Sequence, residues 1–380
     1  MKSVKDMLEE VMHELGINEN INSDEIKTAR VFLDKLNKYL YQKSNTGYIS
    51  EFHEYWKDAH KKILNMKVNK IQARRIALKF EEVFANRELY SSIQISPSIN
   101  RDGLNAKNIA NIRFFTAIQD FKIDIYKKGR DPFQEFHKHP EWFNAKDITS
   151  NPKIIHDFLV YLEATGSQGD KREKWMLNAA QFLIDFYNGE AFDIYSKCNN
   201  DVEEVRNHLA DRSQIGYSRK KADMFLRDMI DWGVWKPGKN IEKLNVASDA
   251  NTMRVALRSG LLELPFPLLA SYLDVYCYQY SYTDIMTQEA WRTVWTTWIT
   301  IENNHCPPSP ASMDYLIYKS IGKSNCANSE SRRKCSTCIL NDICPTEKRN
   351  LKGPKSISIY GMTGWESGKT DSGGGGGIMS

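Results

Sequence analysis

Long apolar runs are missing from this 380-residue sequence: no uncharged stretch approaches the roughly 20 residues that span a bilayer. The opening MKSVKDMLEEVMHEL also lacks the apolar centre of a secretory signal. Proline is scarce, with 12 in the chain, and nine of the 21 glycines lie after position 352, so little interrupts helices in the interior. Alternating β-branched strands bounded by glycine or Asn-Gly turns are almost absent, which argues against a sheet-based fold. Charge of one sign is lacking too: 52 Lys and Arg face 48 Asp and Glu, a net +4, so bulk charge announces no nucleic-acid partner. Seven cysteines, four of them within 326–344, are too few and too grouped for a disulfide framework. With 41% hydrophobic residues the chain has the means to bury a core, and global disorder is excluded. These absences predict a soluble, cytoplasmic, all-α protein with no membrane association.

What is present reads as helices. Apolar residues recur at helical spacing in 24–43, in a later charged stretch (Ala73, Ile76, Ala77, Phe80, Val83, Phe84), in 105–127 (Ile109, Ile112, Phe115, Ile118, Phe121), and in 153–164, 174–188 and 202–210. Segment 86–105 is polar and turn-rich, which predicts a loop or small β element. Segment 128–152 combines proline, glycine and charge without periodicity and is the candidate inter-domain linker. It divides a helical region 1–140 of unassigned role from a second domain over 150–350. The tail 353–380 carries five consecutive glycines and is expected to be flexible.

The run Cys326-ANSESRRK-Cys335-ST-Cys338-ILNDI-Cys344 has spacing C-x8-C-x2-C-x5-C. Four thiolates so close together chelate a soft metal or an iron–sulfur cluster, and a reducing compartment keeps them available. The asymmetric spacing suits one [4Fe-4S] cluster wrapped by a single loop; zinc, the alternative, more often pairs two CxxC units, and only Cys335 and Cys338 form one here. Arg332, Arg333 and Lys334 sit inside the loop and Lys348, Arg349, Lys352 and Lys355 follow it, a local basic surplus that suits phosphate contact or simple solvation.

Two further runs carry chemistry. Gln214-IGYSRKKADMFLRDM opens on Gly216, passes Ser218 and a basic triplet Arg219-Lys220-Lys221, and continues as an apolar helix face (Ala222, Phe225, Leu226, Met229). Such a glycine turn into a helix start offers backbone N–H groups to a phosphate. Asn245-VASDANTMRVALRSG places Asp249 before a helix bearing Met253, Val255, Ala256 and Leu257; Ser248, Asp249 or Asn251 each suits its N-cap.

In this order, a glycine turn with basic residues, an acid at a helix start and a C-terminal four-cysteine loop, the chain resembles the helix-hairpin-helix DNA glycosylase superfamily over roughly 155–346. The cysteine loop is similar to that of iron–sulfur members such as endonuclease III and adenine glycosylase, whose first interval is usually x6 where this chain has x8. Lys220-KADMFLRDM is similar to the K-x-A-x-x-F-L-R form of archaeal 8-oxoguanine glycosylases, with Ser218 in place of the hairpin's second glycine. The approach Asp314-YLIYKSIGKSN looks like the family's glycine-containing helix before its first cluster cysteine. The resemblance implies a glycosylase that flips a base out of double-stranded DNA and cuts its N-glycosidic bond, in repair or in defence against modified foreign DNA. It places the catalytic carboxylate at Asp249, the nucleophile of bifunctional members at Lys220, DNA contacts at Gly216, Ser218, Arg219, Lys221, Arg332, Arg333 and Lys334, and the residue filling the flipped base's gap at Gln168. The cluster ligands are then Cys326, Cys335, Cys338 and Cys344. The competing expectation is a non-catalytic iron–sulfur DNA-binding protein of the same fold.

Overall fold

The computed structural model describes residues 61, 65–86, 88, 99–120, 123, 125, 126, 129–166, 168–263, 278–327 and 330–349. The helix expected over 24–43, most of 86–98, Cys277 and the tail from 353 lie outside the described residues. In chain order the elements include β1 (Lys67–Val68), α1 (Lys70–Ala85), α2 (Ala106–Gln119), α3 (Pro132–Glu135), α4 (Ala145–Ser150), α5 (Lys153–Tyr161), α6 (Gly169–Tyr187), α7 (Asp193–Lys197), α8 (Val202–Ala210), α9 (Arg219–Asp231), α10 (Ala250–Arg258), β2 (Leu262–Glu263), α11 (Tyr278–Trp298) and a π-helical stretch Leu316–Lys323. The described residues are thus mostly helical, as expected, with β1 and β2 forming a two-stranded antiparallel ribbon (Lys67 opposite Glu263). No helix among them is long and apolar enough to cross a membrane.

The chain folds into two compact units that do not follow its order. One combines the described residues of 1–94, 248–306 and 316–380; the other comprises 95–247 and 307–315. In the second unit, α2 is the central helix: every residue from Ala110 to Gln119 is buried, so its polar members need partners inside. Asn111 Oδ1 accepts from the Ala191 amide at 2.8 Å, and Arg113 Nε donates to Asp228 at 2.6 Å. Asp228 also pairs with Arg227, and Arg227 with Asp314 on the returning segment 307–315. Removing one member of such a buried network strands a charge, typically a loss of about 3–5 kcal/mol. Phe114 stacks on Tyr217, whose hydroxyl donates to the Phe114 carbonyl at 2.9 Å, and meets Phe225 edge-on.

Segment 129–152 is not a linker. It forms α3, a 3₁₀ turn over Pro140–Phe143 and α4, and it buries Phe133, Trp142, Phe143 and Ile148 in the core. Its turn-rich composition has a different cause: Asp131 and Asn144 are helix N-caps, and Pro132 and Pro140 stand at helix starts, where a missing N–H costs nothing.

In the first unit α1 packs on α11. Ala73, Ile76, Ala77, Phe80 and Val83 are buried at the expected spacing; Phe80 lies parallel to Trp291, and Phe84 meets Trp298 edge-on. Asn69 caps α1 through the Gln72 amide at 2.9 Å. The short helix α10 buries every residue from Thr252 to Arg258, including both of its arginines.

Candidate functional site

The four cysteines of the loop converge. Cys326, Cys335, Cys338 and Cys344 line one cavity of about 30 Å³ together with Arg258, Arg333 and Arg349. Burial pushes the Cys338 thiol up to about 11 and the Cys344 thiol up to about 12. Among the described residues no three His, Cys, Asp or Glu side chains converge closely enough to hold a single ion. Arg258, Arg333 and Arg349 put positive charge beside the four cysteines, and an anionic sulfur group there is opposite in sign to it. Arg349 Nε is buried with no acceptor among the described residues, and Arg349 Nη2 donates to the Asn341 carbonyl at 2.6 Å. A sulfur-rich anionic group fits this lining.

The same lining holds α10. Arg258 Nη1 donates to the Cys326 carbonyl (3.1 Å), the Cys326 Sγ (3.3 Å) and the Ala327 carbonyl (2.9 Å). Arg254 Nε donates to the Cys326 carbonyl at 2.7 Å, and Arg254 Nη2 to Gly322 (3.2 Å) and to Asn251 Oδ1 (2.6 Å). A side chain at position 322 would crowd this fit, since a Cβ there would stand 3.0 Å from the Cβ of Asn251 and from the Ile317 carbonyl. Gln72 of α1 completes the clamp, its amide donating to Ser259 at 2.6 Å and to Ile343 at 2.8 Å.

Asp249 is the N-cap of α10. Its Oδ1 accepts from the Asn251 and Thr252 amides at 2.8 Å each, its Oδ2 from the Asn251 side-chain amide at 2.8 Å, and Thr252 Oγ1 reciprocates on the Asp249 amide at 2.7 Å. Three donors fix the carboxylate's orientation at a half-buried position, and the helix start directs its dipole at the charge.

In the other unit Gly216 opens the turn before α9 with φ +77°, a conformation that glycine alone adopts freely, and a Cβ there would meet Trp175 at 2.8 Å. Ser218 caps α9, its hydroxyl accepting from the Lys221 amide at 3.4 Å. Arg219 is exposed; Lys220 is half-buried, and its ammonium has no hydrogen-bonded or ionic partner among the described residues. Lys221 turns inward. Its ammonium donates to the Ile118 carbonyl at 2.6 Å and the Gly216 carbonyl at 3.2 Å and lies 5.2 Å from the centre of the Trp175 ring. Burial pulls this ammonium down to about 7, aided by Arg172, Lys220 and Arg113 and opposed by Asp120.

Gln168 precedes α6, exposed, with φ +58° and no cap hydrogen bond. Of the eight non-glycine residues with positive φ among the described residues, six are asparagines, which tolerate it; Gln168 and Glu163 are the two that do not. Arg332 and Lys334 are exposed, whereas Arg333 turns inward and donates to the Arg349 carbonyl at 2.6 Å, so the basic loop divides between surface and cavity. Sequence reasoning missed Arg254, Arg258 and Trp175. The two arginines had a visible signal, two charges four residues apart on an otherwise apolar short helix; Trp175 had none, because its role comes from a neighbour forty-one residues away.

Compared with known proteins, the chain matches no family model, and no curated protein is significantly similar to it.

Proposed function

We propose that the chain is a DNA glycosylase of the helix-hairpin-helix type, with a [4Fe-4S] cluster held by Cys326, Cys335, Cys338 and Cys344. One observation carries the reading: the helix capped by Asp249 is bonded through Arg254 and Arg258 to the first cysteine of the four-cysteine loop. A rigid group in that loop therefore holds the acid's helix in place. The asymmetric x8, x2, x5 spacing, with a single CxxC unit, favours a cluster over zinc.

The glycosidic bond is out of reach in the stack, so the target base is turned out of the duplex. The turn 216–218, the exposed side chain of Arg219 and the half-buried Lys220 grip phosphates, and Gln168 occupies the gap. As the bond to the base breaks, positive charge grows on the sugar; Asp249, oriented by its three donors, stabilises that charge and orients the incoming nucleophile. Lys220 supplies an amine for strand cleavage or holds a phosphate. The cluster supplies no electrons to this hydrolysis and serves as a staple. The substrate class is a damaged or modified base in double-stranded DNA.

The engagement of both Asp249 oxygens in capping favours a second reading, a non-catalytic iron–sulfur DNA-binding protein. Incubation with genomic and phage DNAs of differing base modification, followed by mass spectrometry of released bases, separates the two: salt-dependent DNA binding with no released base from any of them supports the second reading and ends the first.

A further inference from the structure

Lys221 holds a half-buried, inward-turned ammonium that the proposed chemistry does not use, and taking it out of water is costly. Ammonium burial is disfavoured, and a methionine of similar length would fill the same space without a charge. What the ammonium does in exchange is geometric. It bonds the carbonyl of Gly216, the residue that opens the hairpin turn, to the carbonyl of Ile118 near the end of α2. It also lies over one ring, Trp175, that packs on Gly216 too tightly to admit a methyl group. Trp175 belongs to α6, two turns from Gln168, and Lys171 of the same helix lies 4.9 Å from the centre of that ring. One turn further along α6, the Asn178 side-chain amide donates to the Gln214 carbonyl of the turn at 3.0 Å. Hairpin turn and α6 thus share a side-chain joint centred on Lys221 and Trp175.

We propose that Lys221 is a positioning residue that locks the phosphate-gripping turn 214–218 to the helix start bearing Gln168, so that strand grip and gap filling act as one device. The proposal rests on the glycosylase reading for what the device does, but the joint itself is a property of the free protein. It reassigns Lys221 from a phosphate contact to the support behind the contacts. Both carbonyl bonds survive loss of the proton, because a neutral amine still has two N–H groups.

Three variants test it: Lys221→Met, which removes the donors at nearly constant volume; Trp175→Phe, which thins the ring while leaving Lys221 in place; and Lys220→Met as the comparison. Hydrogen exchange is measured on the free proteins. In Lys221→Met and Trp175→Phe, exchange rises several-fold in 213–218 and in 169–175 together, with the rest of the protein unchanged; a rise confined to one of the two segments, or in neither, overturns the joint whether or not the protein acts on DNA. On a duplex in which 2-aminopurine reports base opening, Lys221→Met lowers opening about 5- to 10-fold, the worth of one to two hydrogen bonds. Its effect is absent when Gln168→Ala is already present, and its slope of log affinity against log salt equals that of wild type. Lys220→Met, by contrast, lowers that slope by about one. A lowered slope or full additivity with Gln168→Ala in the Lys221 variant restores it as a direct phosphate contact, and a borohydride-trapped adduct lost only in that variant makes it a nucleophile; either overturns the positioning role. Failure of wild type to open any base ends the glycosylase reading, while the exchange measurement still decides the joint.

Discussion

Asp249 caps a helix, the proposed function also has it stabilise a cationic sugar, and two substitutions pull the roles apart. Asp249→Ala removes the acceptor for the Asn251 and Thr252 amides, both at 2.8 Å; losing such a cap costs about 0.5–2 kcal/mol. For a unit of this size that is about 1–8 °C in melting temperature. Asp249→Asn keeps an oxygen in the capping position, since asparagine caps as well as aspartate, and gives up the charge–dipole attraction of about 0.3–1 kcal/mol. On stability, then, asparagine is the milder change. On chemistry both remove the charge that faces the developing cation, and a preorganised electrostatic group of this kind contributes about 10²–10³-fold in rate. The assay pairs thermal melting with mass spectrometry of bases released under single-turnover conditions. The reasoning predicts a near-native melting curve and at least a hundredfold slower release for Asp249→Asn. Full activity in that variant refutes the catalytic assignment; melting as low as that of Asp249→Ala refutes the capping arithmetic.

Gln168→Gly relieves the left-handed backbone strain of about 1–2 kcal/mol but adds unfolded-state freedom worth about 0.4–1 kcal/mol. Its stability by denaturant titration is therefore unchanged to slightly raised, while 2-aminopurine opening falls; unchanged opening removes Gln168 from the DNA interface. Gly216→Ala meets both a positive φ and the Trp175 ring at 2.8 Å, and is expected to cost about 2–4 kcal/mol by the same titration. The cluster assignment predicts iron, acid-labile sulfide and broad visible absorbance in the wild type and their loss when Cys335 and Cys338 are replaced by serine; stoichiometric zinc in anaerobically purified, colourless wild-type protein sinks it. The depressed Lys221 ammonium, about 7 against 10.5 when exposed, predicts a pH effect of fixed sign. Between those values the unfolded chain holds the proton and the folded one does not, so stability rises with pH across that window and levels off below about 7. Asp120, Arg172, Lys220 and Arg113 face this group, with Lys171 on the shared ring. Lys221→Met should flatten the rise in urea-melting midpoints, and an unaltered slope refutes the assignment.

Local chemistry was legible in the amino-acid order because it depends on near neighbours. Helical periodicity in 73–84 and 202–210 became α1 and α8, the glycine at 216 became a positive-φ turn, and the acid at 249 became a helix cap, each determined within about one turn of chain. Four cysteines within nineteen residues announced a shared site for the same reason, since so short a loop brings them to one cavity. What only the tertiary structure decided depends on residues far apart in the chain. Proline, aspartate and asparagine in 129–152 look alike in a linker and in a run of short capped helices, and only the burial of Phe133, Trp142, Phe143 and Ile148 distinguishes them. The resemblance turned all three adjacent basic residues toward DNA, Arg219 and Lys221 as contacts and Lys220 as nucleophile; the carbonyls of Ile118 and Gly216 and the ring of Trp175 turn Lys221 inward instead, while Lys220 has no hydrogen-bonded or ionic partner among the described residues. The two arginines of α10 likewise gained their meaning from Cys326, some seventy residues later. Electrostatic and packing partners at such separations are set by the fold, and a linear pattern carries no record of them.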